Sequence, residues 1–482
     1  MQEETVECSA ADDDDSGPRE ECGVFGVYGC NGAAGLLYEG LFAQQHRGQE
    51  GAGLAVIDAA GHMHYLKGLG LLNNAVDAKE AADLGGSMGI GHVRYSTTGS
   101  SRLTNVQPLI GECVDGAWAV AHNGNLVNAG ELRQQFQEAG SLFQTGTDSE
   151  ILLHLLASPR HRSRPDRIKS ACGILAGSYS FLIMSGDSLT AVRDPHGFKP
   201  LVVGRLGEGW VFASETCALS QVGARYEREV EPGEIVTVGP NGQYSEWITR
   251  EGGVRHSRCV FELVYFARPD SRVFGYNVHQ VRLIYGQRLA EEYPVDADIV
   301  ISVPDSGNSS ALGYARQSGI PYELGFVRNH YVGRTFIMPQ QSQRITQVDR
   351  KLSALPETVS GKRVVVVDDS IVRGNTMRRR VRALRDAGAR EVHLRIACPP
   401  VGHPCFYGID FPTRKELAAG NRNVEEIRNF VDADSLGYLS IEGLLSPLGE
   451  RESFCLACLS GNYPVEQGKS EKDALERNIW TS

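Results

Sequence analysis

A run of valines followed by acidic and hydroxyl side chains constrains the fold more than any other stretch of the chain. Residues 364–376 read VVVVDDSIVRGNT. Four consecutive β-branched residues are typical of a strand that is buried on both faces of a parallel sheet. The polar residues after it indicate a loop, and residues 377–387 are predicted to form a helix that ends at Gly388. The pattern therefore predicts a buried strand, a polar loop and a helix start.

The polar loop has the chemistry of an anion site. A loop between a parallel strand and a helix directs backbone N–H groups towards the helix N-terminus, where negative charge is favoured. Asp368 and Asp369 only accept hydrogen bonds, so they can hold two neighbouring sugar hydroxyls. The residues expected to surround a phosphate are Ser370, Arg373, Gly374, Asn375 and Thr376. The alternative is a strand that ends in a solvated acidic turn.

Length and composition indicate a two-domain protein. The chain has 482 residues and is 41% hydrophobic, which is long for one core and enough for two. No apolar run reaches the roughly 18 residues of a membrane span, and the acidic N-terminus is unlike a secretory signal. We therefore expect a cytoplasmic protein with no membrane partner. Eleven Cys are spread over the chain, which favours thiols, metal ligands or a nucleophile over a disulfide framework.

The acidic charge is concentrated at the N-terminus. Residues 1–21 contain nine acids and one Arg, and so contribute −8 to the net charge of −11. The rest of the chain is nearly neutral and has no basic cluster, so we expect no nucleic-acid partner. The acidic run at residues 12–15, followed by Ser, Gly and Pro, predicts disorder before residue 22.

A change of pattern near residue 255 predicts two folded domains. Before it, short strand-like runs and helical runs predict sheets with packed helices; after it, longer α/β alternation begins. The predicted strands are residues 22–29, 89–94, 117–122, 179–184, 189–193, 210–213, 234–238, 299–303 and 364–367. The predicted helices are residues 36–45, 129–138, 150–156, 278–291, 309–317 and 377–387. The predicted organisation is an acidic leader at 1–21, domains at 22–255 and 256–465, and a polar tail at 466–482.

Cys22 opens the first predicted strand, directly after the acidic leader. If the leader is removed, Cys22 becomes the N-terminal residue and carries two catalytic groups. The thiol is then the nucleophile, and the freed α-amino group, with an ordinary pKa of about 8, is its base. The alternative is a small buried hydrophobic side chain, which is the commoner fate of a free Cys.

Four polar segments accompany Cys22. They are residues 46–53 (HRGQEGAG), 91–97 (GHVRYST), 122–125 (HNGN) and 147–150 (TDSE), and each is predicted to be a loop beside an apolar strand or helix. In this order they resemble the glutaminase domain of the class II amidotransferases, which are N-terminal nucleophile hydrolases. The resemblance covers nearly all of residues 22–240 and implies an αββα sandwich.

The resemblance implies how glutamine is bound. Arg94 would pair its guanidinium with the α-carboxylate of glutamine, and Asp148 would accept from the α-ammonium. Gly48 and Thr97 would line the same pocket. Taken singly, Arg94 is equally compatible with a surface ion pair and Asp148 with a helix cap.

The resemblance also implies an oxyanion hole. The side-chain amide of Asn123 and the backbone N–H of Gly124 would stabilise the negative oxygen that forms when Cys22 attacks the amide carbon. Taken alone, Asn123 is equally compatible with a turn. The ordered set of five segments favours the glutaminase interpretation over these single alternatives.

The second half resembles the type I phosphoribosyltransferases, in which the 364–376 segment binds 5-phosphoribosyl pyrophosphate. Together the two halves, from about residue 20 to residue 464, resemble the glutamine phosphoribosylpyrophosphate amidotransferases. Other matching segments are residues 268–271 (RPDS), 303–307 (VPDSG), 331–336 (YVGRTF), 351–354 (KLSA) and 403–410 (HPCFYGID). This resemblance implies a type I phosphoribosyltransferase α/β domain with a parallel sheet after the sandwich.

The implied reaction is the first committed step of purine synthesis. Glutamine hydrolysed at Cys22 would supply ammonia through an internal channel to 5-phosphoribosyl pyrophosphate, giving 5-phosphoribosylamine, pyrophosphate and glutamate. The pyrophosphate would lie against Pro304, Asp305 and Ser306. Mg²⁺ would be held by Ser306, Asp368 and Asp369. Arg334 and Lys351 would belong to a lid over the substrate.

A cysteine set suggests a metal centre. Cys455 and Cys458 form a C-x-x-C pair, which alone is compatible with zinc, a redox pair or neither. In the iron–sulfur branch of the family, Cys259 and Cys405 match the two further ligand positions, which implies one [4Fe-4S] cluster. Zinc on the same thiolates and unliganded thiols remain alternatives. In that branch a cleaved propeptide accompanies the cluster, which agrees with the leader at 1–21.

The resemblance further implies a homotetramer and feedback inhibition by the purine nucleotides AMP, GMP, ADP and GDP. Lys199 departs from the family, which usually has Arg there, and the leader is longer and more acidic than usual. One competing function is another class II amidotransferase, such as the one making glucosamine 6-phosphate, but that enzyme lacks the 364–376 loop. The other is a nucleotide-sensing regulator without catalysis, against which the intact glutaminase residues argue.

Overall fold

The computed structural model describes residues 22–58, 60–95, 102–158, 163–248, 253–329, 352–411 and 413–466. These residues divide into two compact units. The large unit contains the described residues up to 281, together with residues 404–411 and 448–466. The small unit contains the described residues of 282–403 and 413–447. The predicted leader, Thr97, Arg334, Lys351 and most of the predicted polar tail lie outside the described residues.

The packing division does not follow the change of sequence pattern near residue 255. Residues 256–281 pack with the large unit, as do the two later segments. One reason is that Glu262 forms an ion pair with Arg47 in the interior of the large unit. Another is that residues 258–259 form a parallel strand pair with residues 454–455. The domain limits at 22, 255 and 465 therefore stay a prediction from pattern.

Thirteen strands are found in the described residues before 250. They are β1 (Gly23–Tyr28), β2 (Gly51–Ile57), β3 (Met63–Leu69), β4 (Met88–Arg94), β5 (Leu109–Cys113), β6 (Gly116–Leu126), β7 (Gly177–Ser185), β8 (Ser188–Arg193), β9 (Val202–Leu206), β10 (Gly209–Ala213), β11 (Arg225–Glu229), β12 (Glu234–Gly239) and β13 (Gly242–Trp247). The helices of the same region are α1 (Ala33–Ala43), α2 (Leu72–Ala75), α3 (Ala78–Leu84), α4 (Ala129–Glu138), α5 (Glu150–Leu156), α6 (Arg164–Ile174) and α7 (Thr216–Gln221). Two short 3₁₀ turns lie at Gln45–Arg47 and Leu103–Asn105.

Two antiparallel sheets form the centre of the large unit. Within the described residues, one sheet has seven strands in the order β11-β9-β10-β1-β4-β2-β3, and the other has six in the order β13-β12-β8-β7-β6-β5. Val24 and Ile90 of the first sheet share one buried cluster with Leu182 of the second. Because side chains alternate along a strand, the neighbouring Phe25 points the other way and packs with Leu37 of α1.

The second sheet is covered in the same way. Phe181, next to Leu182 on β7, packs with Ile151 of α5 and Ile168 of α6. The layers are therefore helix, sheet, sheet and helix, as the sequence analysis expected. The buried side chains form separate clusters between the layers, because alternate residues of β1 and β7 face opposite sides of their sheets.

The later elements alternate between the two units. In chain order they are β14 (Arg258–Cys259), a π-helical turn (Glu262–Phe266), β15 (Arg272–Val273), β16 (Tyr276–Asn277), α8 (Val278–Glu292), β17 (Ile299–Ser302), α9 (Asn308–Ser318), β18 (Phe326–Arg328), β19 (Leu352–Ala354), α10 (Pro356–Val359), β20 (Arg363–Asp368), α11 (Asn375–Asp386), β21 (Glu391–Ile396), α12 (Ala418–Asn421), α13 (Val424–Val431), β22 (Ser435–Tyr438), α14 (Ile441–Leu445), a 3₁₀ turn (Arg451–Ser453), β23 (Phe454–Cys455) and α15 (Ala457–Ser460).

The small unit is built on a parallel sheet with the order β17-β20-β21-β22. The valine run lies on β20, between β17 and β21, and Val364, Val365 and Val367 are fully buried. This agrees with the prediction of a strand covered on both faces. Helix α11 begins at Asn375, two residues before its predicted start at 377, directly after Gly374 with φ 89°.

Most predicted elements are present, with ends that shift by at most four residues. The main difference concerns residues 122–125, which were expected to be a loop. They lie on β6, because pairing with β7 continues to Leu126. No helix in the described part of the chain is both long enough and apolar enough to cross a membrane.

Candidate active site

Cys22 lies at the entrance of β1, a central strand of the seven-stranded sheet. The residue is buried, and its thiol donates a hydrogen bond to the carbonyl oxygen of Tyr95 at 3.3 Å. Burial raises the pKa of the Cys22 thiol to about 11, and the nearby charge of Arg94 offsets this only in part. At neutral pH the thiol therefore requires a local base to become a nucleophile.

The raised pKa gives the intact chain, with residues 1–21 attached, a characteristic pH dependence. A thiol reacts as thiolate, so below its pKa the alkylation rate rises about 10-fold per pH unit. For Cys22 the rise with iodoacetamide is expected to continue from pH 7 to about 11. Mass spectrometry of the peptide that spans residues 21 and 22 measures this rate. A plateau below pH 9 would contradict it.

A recess of about 250 Å³, including space open to solvent, brings the predicted glutamine site together. Cys22, Arg94, Gly124 and Asp148 line it. Gly48 packs against the backbone of Arg94, since a Cβ at Gly48 would be 2.7 Å from the backbone nitrogen of Arg94. Thus four separate sequence segments meet at one place.

Arg94 and Asp148 both line the recess, and a guanidinium and a carboxylate are the two charges that recognise a free amino acid. Asp148 Oδ2 accepts from the backbone N–H of Leu126 at 2.8 Å, and Oδ1 accepts from the Ser149 hydroxyl at 3.2 Å. Burial opposes ionisation of Asp148, but His122 and these hydrogen bonds outweigh it, so the pKa of the carboxyl is below its ordinary value. A carboxylate held ionised in this way can accept from an ammonium group.

Asn123 and Gly124, the residues predicted to form an oxyanion hole, are neighbours on β6. Asn123 is 1% exposed, and neither atom of its side-chain amide has a hydrogen-bond partner in the described part of the chain. Buried polar groups are normally paired, so this amide has an unused donor. Gly124 has φ 148°, and a Cβ there would be 2.1 Å from the carbonyl oxygen of Ser178. The position therefore requires glycine.

The predicted phosphate loop lies in the small unit, where two strands end side by side. Residues 304–306 follow β17 and residues 369–374 follow β20, and these strands are parallel neighbours. The Ser306 hydroxyl donates to Asp369 Oδ1 at 2.5 Å. A Cβ at Gly307 would be 2.7 Å from the carbonyl oxygen of Val367, so the two loops approach closely.

Asp368 and Asp369 form a buried acidic pair. Burial and the neighbouring charge of Asp369 raise the pKa of Asp368 well above its ordinary value, while Arg380, whose Nη1 donates to Asp368 Oδ2 at 2.7 Å, acts in the opposite direction. Two adjacent carboxyls of this kind are suited to a divalent cation or to sugar hydroxyls. Ser370, Arg373, Gly374, Asn375 and Thr376 continue from the pair into the first turn of α11.

The four predicted cluster cysteines all belong to the large unit. Cys259 on β14 and Cys455 on β23 are register partners. Burial raises the pKa of Cys455 to about 12; Cys405 acts in the same direction and Lys199 in the opposite one. Within the described residues no group of three or more His, Cys, Asp or Glu side chains converges to metal-binding distance. The ligand set therefore stays a prediction.

Family models match both halves of the chain. A glutamine amidotransferase domain matches residues 92–221, and a phosphoribosyl transferase domain matches residues 279–402. An amidophosphoribosyltransferase of Bacillus subtilis is 49% identical over 456 residues, which cover 93% of this chain and 95% of that protein. The chain belongs to the amidophosphoribosyltransferase family. It is therefore a glutamine-dependent phosphoribosyltransferase, as the sequence analysis predicted.

Other amidophosphoribosyltransferases and solved structures agree. That of Methanothermobacter thermautotrophicus is 46% identical over 454 residues, covering 93% of this chain and 95% of that protein. The structure of the B. subtilis glutamine phosphoribosylpyrophosphate amidotransferase, described as complexed with ADP and GMP, has a TM-score of 0.88 at 48% identity and covers 93% of this chain and 98% of that chain. A structure described as the allosteric regulatory enzyme of purine biosynthesis has a TM-score of 0.89, again at 48% identity, and covers 93% and 97%.

The amidophosphoribosyltransferase fold places two further groups near the recess that were not predicted from the sequence, and the first lies behind Cys22. Arg47 is fully buried, and its Nε donates to the Cys22 carbonyl oxygen at 3.1 Å. Its other nitrogens pair with Glu215 at 2.5 Å and Glu262 at 2.7 Å. Burial opposes ionisation of Glu215, but His46 and Arg47 outweigh it and hold its pKa below the ordinary range.

The second group is a hydrogen-bond network next to Asp148. The Ser149 hydroxyl is 2.9 Å from His122 Nδ1 and accepts from Gln107 Nε2 at 3.1 Å. Gln107 Oε1 in turn accepts from the backbone N–H of His122 at 2.7 Å. His122 and Ser149 were visible within the HNGN and TDSE segments, but no local signal marked Gln107.

Proposed function

We propose that the chain hydrolyses glutamine at Cys22 and passes the ammonia to C1 of 5-phosphoribosyl pyrophosphate. The products are 5-phosphoribosylamine, pyrophosphate and glutamate, in the first committed step of purine synthesis. The observation that carries the proposal is the recess in which a buried thiol, a guanidinium and a carboxylate meet. The buried, unpaired amide of Asn123, next to Gly124 on β6, supports the assignment of an oxyanion hole.

Removal of residues 1–21 completes the nucleophile. The α-amino group of Cys22 takes the thiol proton, and the sulfur attacks the amide carbon of glutamine. The proton passes to the leaving nitrogen as the C–N bond breaks, which releases ammonia and leaves a thioester. Water then hydrolyses the thioester to glutamate. The raised pKa of the Cys22 thiol explains why a base on the same residue is needed.

Arg94 and Asp148 select the substrate by charge. The guanidinium of Arg94 binds the α-carboxylate and Asp148 accepts from the α-ammonium, so free glutamine is preferred over glutamine within a peptide. Gly48 permits the approach of the Arg94 backbone, and Thr97 is assigned to the same pocket by its position in the motif. A glutamine residue within a peptide lacks both the free α-carboxylate and the free α-ammonium group.

Asn123 and Gly124 stabilise the negative oxygen of the tetrahedral intermediate. Replacing Asn123 by Ala is expected to lower the glutamine-dependent kcat about 100-fold to 1,000-fold, with little change in KM for glutamine, because the donor acts on the transition state. Initial rates of glutamate release measure this effect. Ammonia-dependent product formation in the same variant is the control and is expected to be unchanged. A rise in KM at constant kcat would contradict the assignment.

The small unit binds the sugar substrate. Asp368 and Asp369 accept from the ribose hydroxyls, and residues 370–376 bind the 5-phosphate at the N-terminus of α11. Pro304, Asp305 and Ser306 contact the pyrophosphate, and Arg334 and Lys351 are assigned to a lid by their motifs. Ser306, Asp368 and Asp369 are oxygen donors of the kind Mg²⁺ prefers, and the ion would neutralise the leaving pyrophosphate. The hydrogen bond between Ser306 and Asp369 supports a shared site.

A [4Fe-4S] cluster is proposed for Cys259, Cys405, Cys455 and Cys458. The pairing of β14 with β23 supports it, because it brings Cys259 beside Cys455. Four thiolates are the usual ligand set of such a cluster. Each thiol must be deprotonated on loading, since bound iron favours the thiolate.

Replacing Cys405 by Ser is expected to remove the cluster. Anaerobically purified chain should contain iron and acid-labile sulfide in equal amounts and absorb broadly in the visible range, and the variant should lose both signals. The buried free thiol of Cys398 offers a matched control, because Cys398→Ser should retain them. Detection of stoichiometric zinc in the purified parent chain would contradict the cluster and support the zinc alternative.

Purine nucleotides are proposed as feedback inhibitors and a homotetramer as the assembly. The first proposal is supported by the B. subtilis relative, whose structure is described as complexed with ADP and GMP. AMP, GMP, ADP and GDP share the purine and phosphate groups that such sites recognise.

One experiment tests the proposed function directly. Glutamate release from glutamine is measured with and without 5-phosphoribosyl pyrophosphate, together with an intact mass. Strong stimulation by the sugar substrate and a mass that begins at Cys22 are expected. Release indifferent to the sugar would contradict the second site. Absence of release despite the expected mass would favour the nucleotide-sensing regulator.

A further inference from the structure

We infer that residues 404–411 hold the oxyanion hole in shape, with Asn125 and Gly408 as positioning residues. The inference rests on the proposed function, because it requires Asn123 and Gly124 to act on the tetrahedral intermediate. Residues 404–411 lie between two sequence segments of the small unit but pack with the large unit.

The proposed oxyanion residues lie in the last part of β6, which is paired along only one edge in the described part of the chain. On one side β6 pairs with β7 as far as Leu126. On the other side its pairing with β5 extends only from Gly116 to Val120. Residues 121–126 therefore lack a neighbouring strand on that side. The exact direction of the Gly124 N–H matters for catalysis, so other contacts must support this edge.

Asn125 supplies the first of these contacts. Its side-chain Nδ2 donates to the backbone carbonyl oxygen of Phe406 at 2.9 Å, across 281 residues of sequence. The bond anchors the residue that directly follows Gly124. Loss of the donor would leave the strand edge free to shift relative to Phe406.

Gly408 supplies the second contact. A Cβ at Gly408 would be 3.2 Å from both Cα and C of Gly124, so the two backbones pack directly against each other. It would also be 3.1 Å from Cε of the buried Lys199. Gly408 has φ 103°, a conformation that other residues rarely adopt. A side chain at position 408 would therefore strain the backbone and crowd Gly124.

The segment is itself firmly held and can act as a support. The ring of Tyr407 stacks on Phe198 with centroids 4.4 Å apart. The Tyr407 hydroxyl donates to the Val465 carbonyl oxygen at 2.8 Å, and the Tyr463 hydroxyl donates to the Pro404 carbonyl oxygen at 2.8 Å. These contacts hold the segment at Pro404 and at Tyr407, the residue directly before Gly408.

The test replaces Asn125 by Leu, which has a similar shape and no donor. Glutamine-dependent kcat is expected to fall roughly 10-fold to 100-fold while KM for glutamine changes less than about twofold, since misplacement of a transition-state donor lowers kcat. Gly408→Ala should act in the same direction. Ammonia-dependent formation of 5-phosphoribosylamine should be unchanged in both variants.

Asn128→Leu is the matched control. Asn128 Nδ2 also donates to a backbone carbonyl oxygen, that of Ile174 at 3.0 Å, but this bond does not involve residues 404–411. Its loss is expected to leave both glutamine-dependent and ammonia-dependent kcat unchanged.

The outcomes separate the two proposals. Absence of sugar-stimulated glutamate release in the parent chain would reject the proposed function itself. An active parent chain with parental kcat in Asn125→Leu and Gly408→Ala would overturn only the positioning role. Equal losses of both activities would also overturn it, because the segment would then support the fold and not the oxyanion hole. A rise in KM at constant kcat would assign the segment to substrate binding.

Discussion

Replacement of Cys22 by Ala is expected to abolish formation of 5-phosphoribosylamine from glutamine, with a loss of about 10⁴-fold or more. The variant keeps the recess but lacks the sulfur that forms the thioester. Formation of the same product from ammonia should remain, because the phosphate loop is untouched. Initial rates with each nitrogen source measure the two activities separately.

The control for Cys22 lies at the other end of the same strand. Cys30 is a buried free thiol two residues after β1 ends, and Cys30→Ala should retain both activities. Persistent glutamine-dependent turnover in Cys22→Ala would reject Cys22 as nucleophile. An intact mass of that variant also tests maturation: loss of processing would support autocatalysis, and continued cleavage in the purified variant would exclude it.

Replacement of Asp369 by Asn is expected to lower product formation with both nitrogen sources, by about 100-fold or more. Asp369 accepts from Ser306 of one loop and from Ser370 of its own loop, so it joins the two loops proposed to bind the pyrophosphate and the ribose. Removal of its charge weakens the predicted magnesium site and the contact to a sugar hydroxyl. Initial rates with ammonia and calorimetric binding of 5-phosphoribosyl pyrophosphate measure the loss.

Asp386→Asn is a suitable control for this second variant. Asp386 ends α11, and its side chain is largely exposed. Its replacement should leave both activities within about twofold, as is usual for exposed positions. Loss of glutamine-dependent activity alone in Asp369→Asn would contradict the assignment, because the sugar site serves both nitrogen sources.

Local sequence pattern was sufficient to predict much of the structure. The valine run predicted β20 and the loop after it, because a β-branched run followed by acids has few other structures available. Motif order predicted that Cys22, Arg94, Gly124 and Asp148 would share one site, and they line the same recess. The strand state of residues 122–125 was missed, because it depends on pairing with β7.

Long-range contacts determined the rest. No local signal showed that Glu215 and Glu262 would meet at Arg47, since each is more than 160 residues away from it. The same holds for Phe406, which reaches Asn125 across 281 residues. Contacts of this kind depend on how whole layers pack, and short-range hydrophobic periodicity carries no information about them.

The sequence by itself determined the family and the two types of fold. These follow from local side-chain preference and from motifs whose residues are close in the chain. Only the tertiary structure decided what lies behind those residues: the buried ion pairs at the Cys22 carbonyl and the close approach of Gly408 to Gly124. The reason is physical, because close packing and charge burial are settled between segments that meet only in the folded protein.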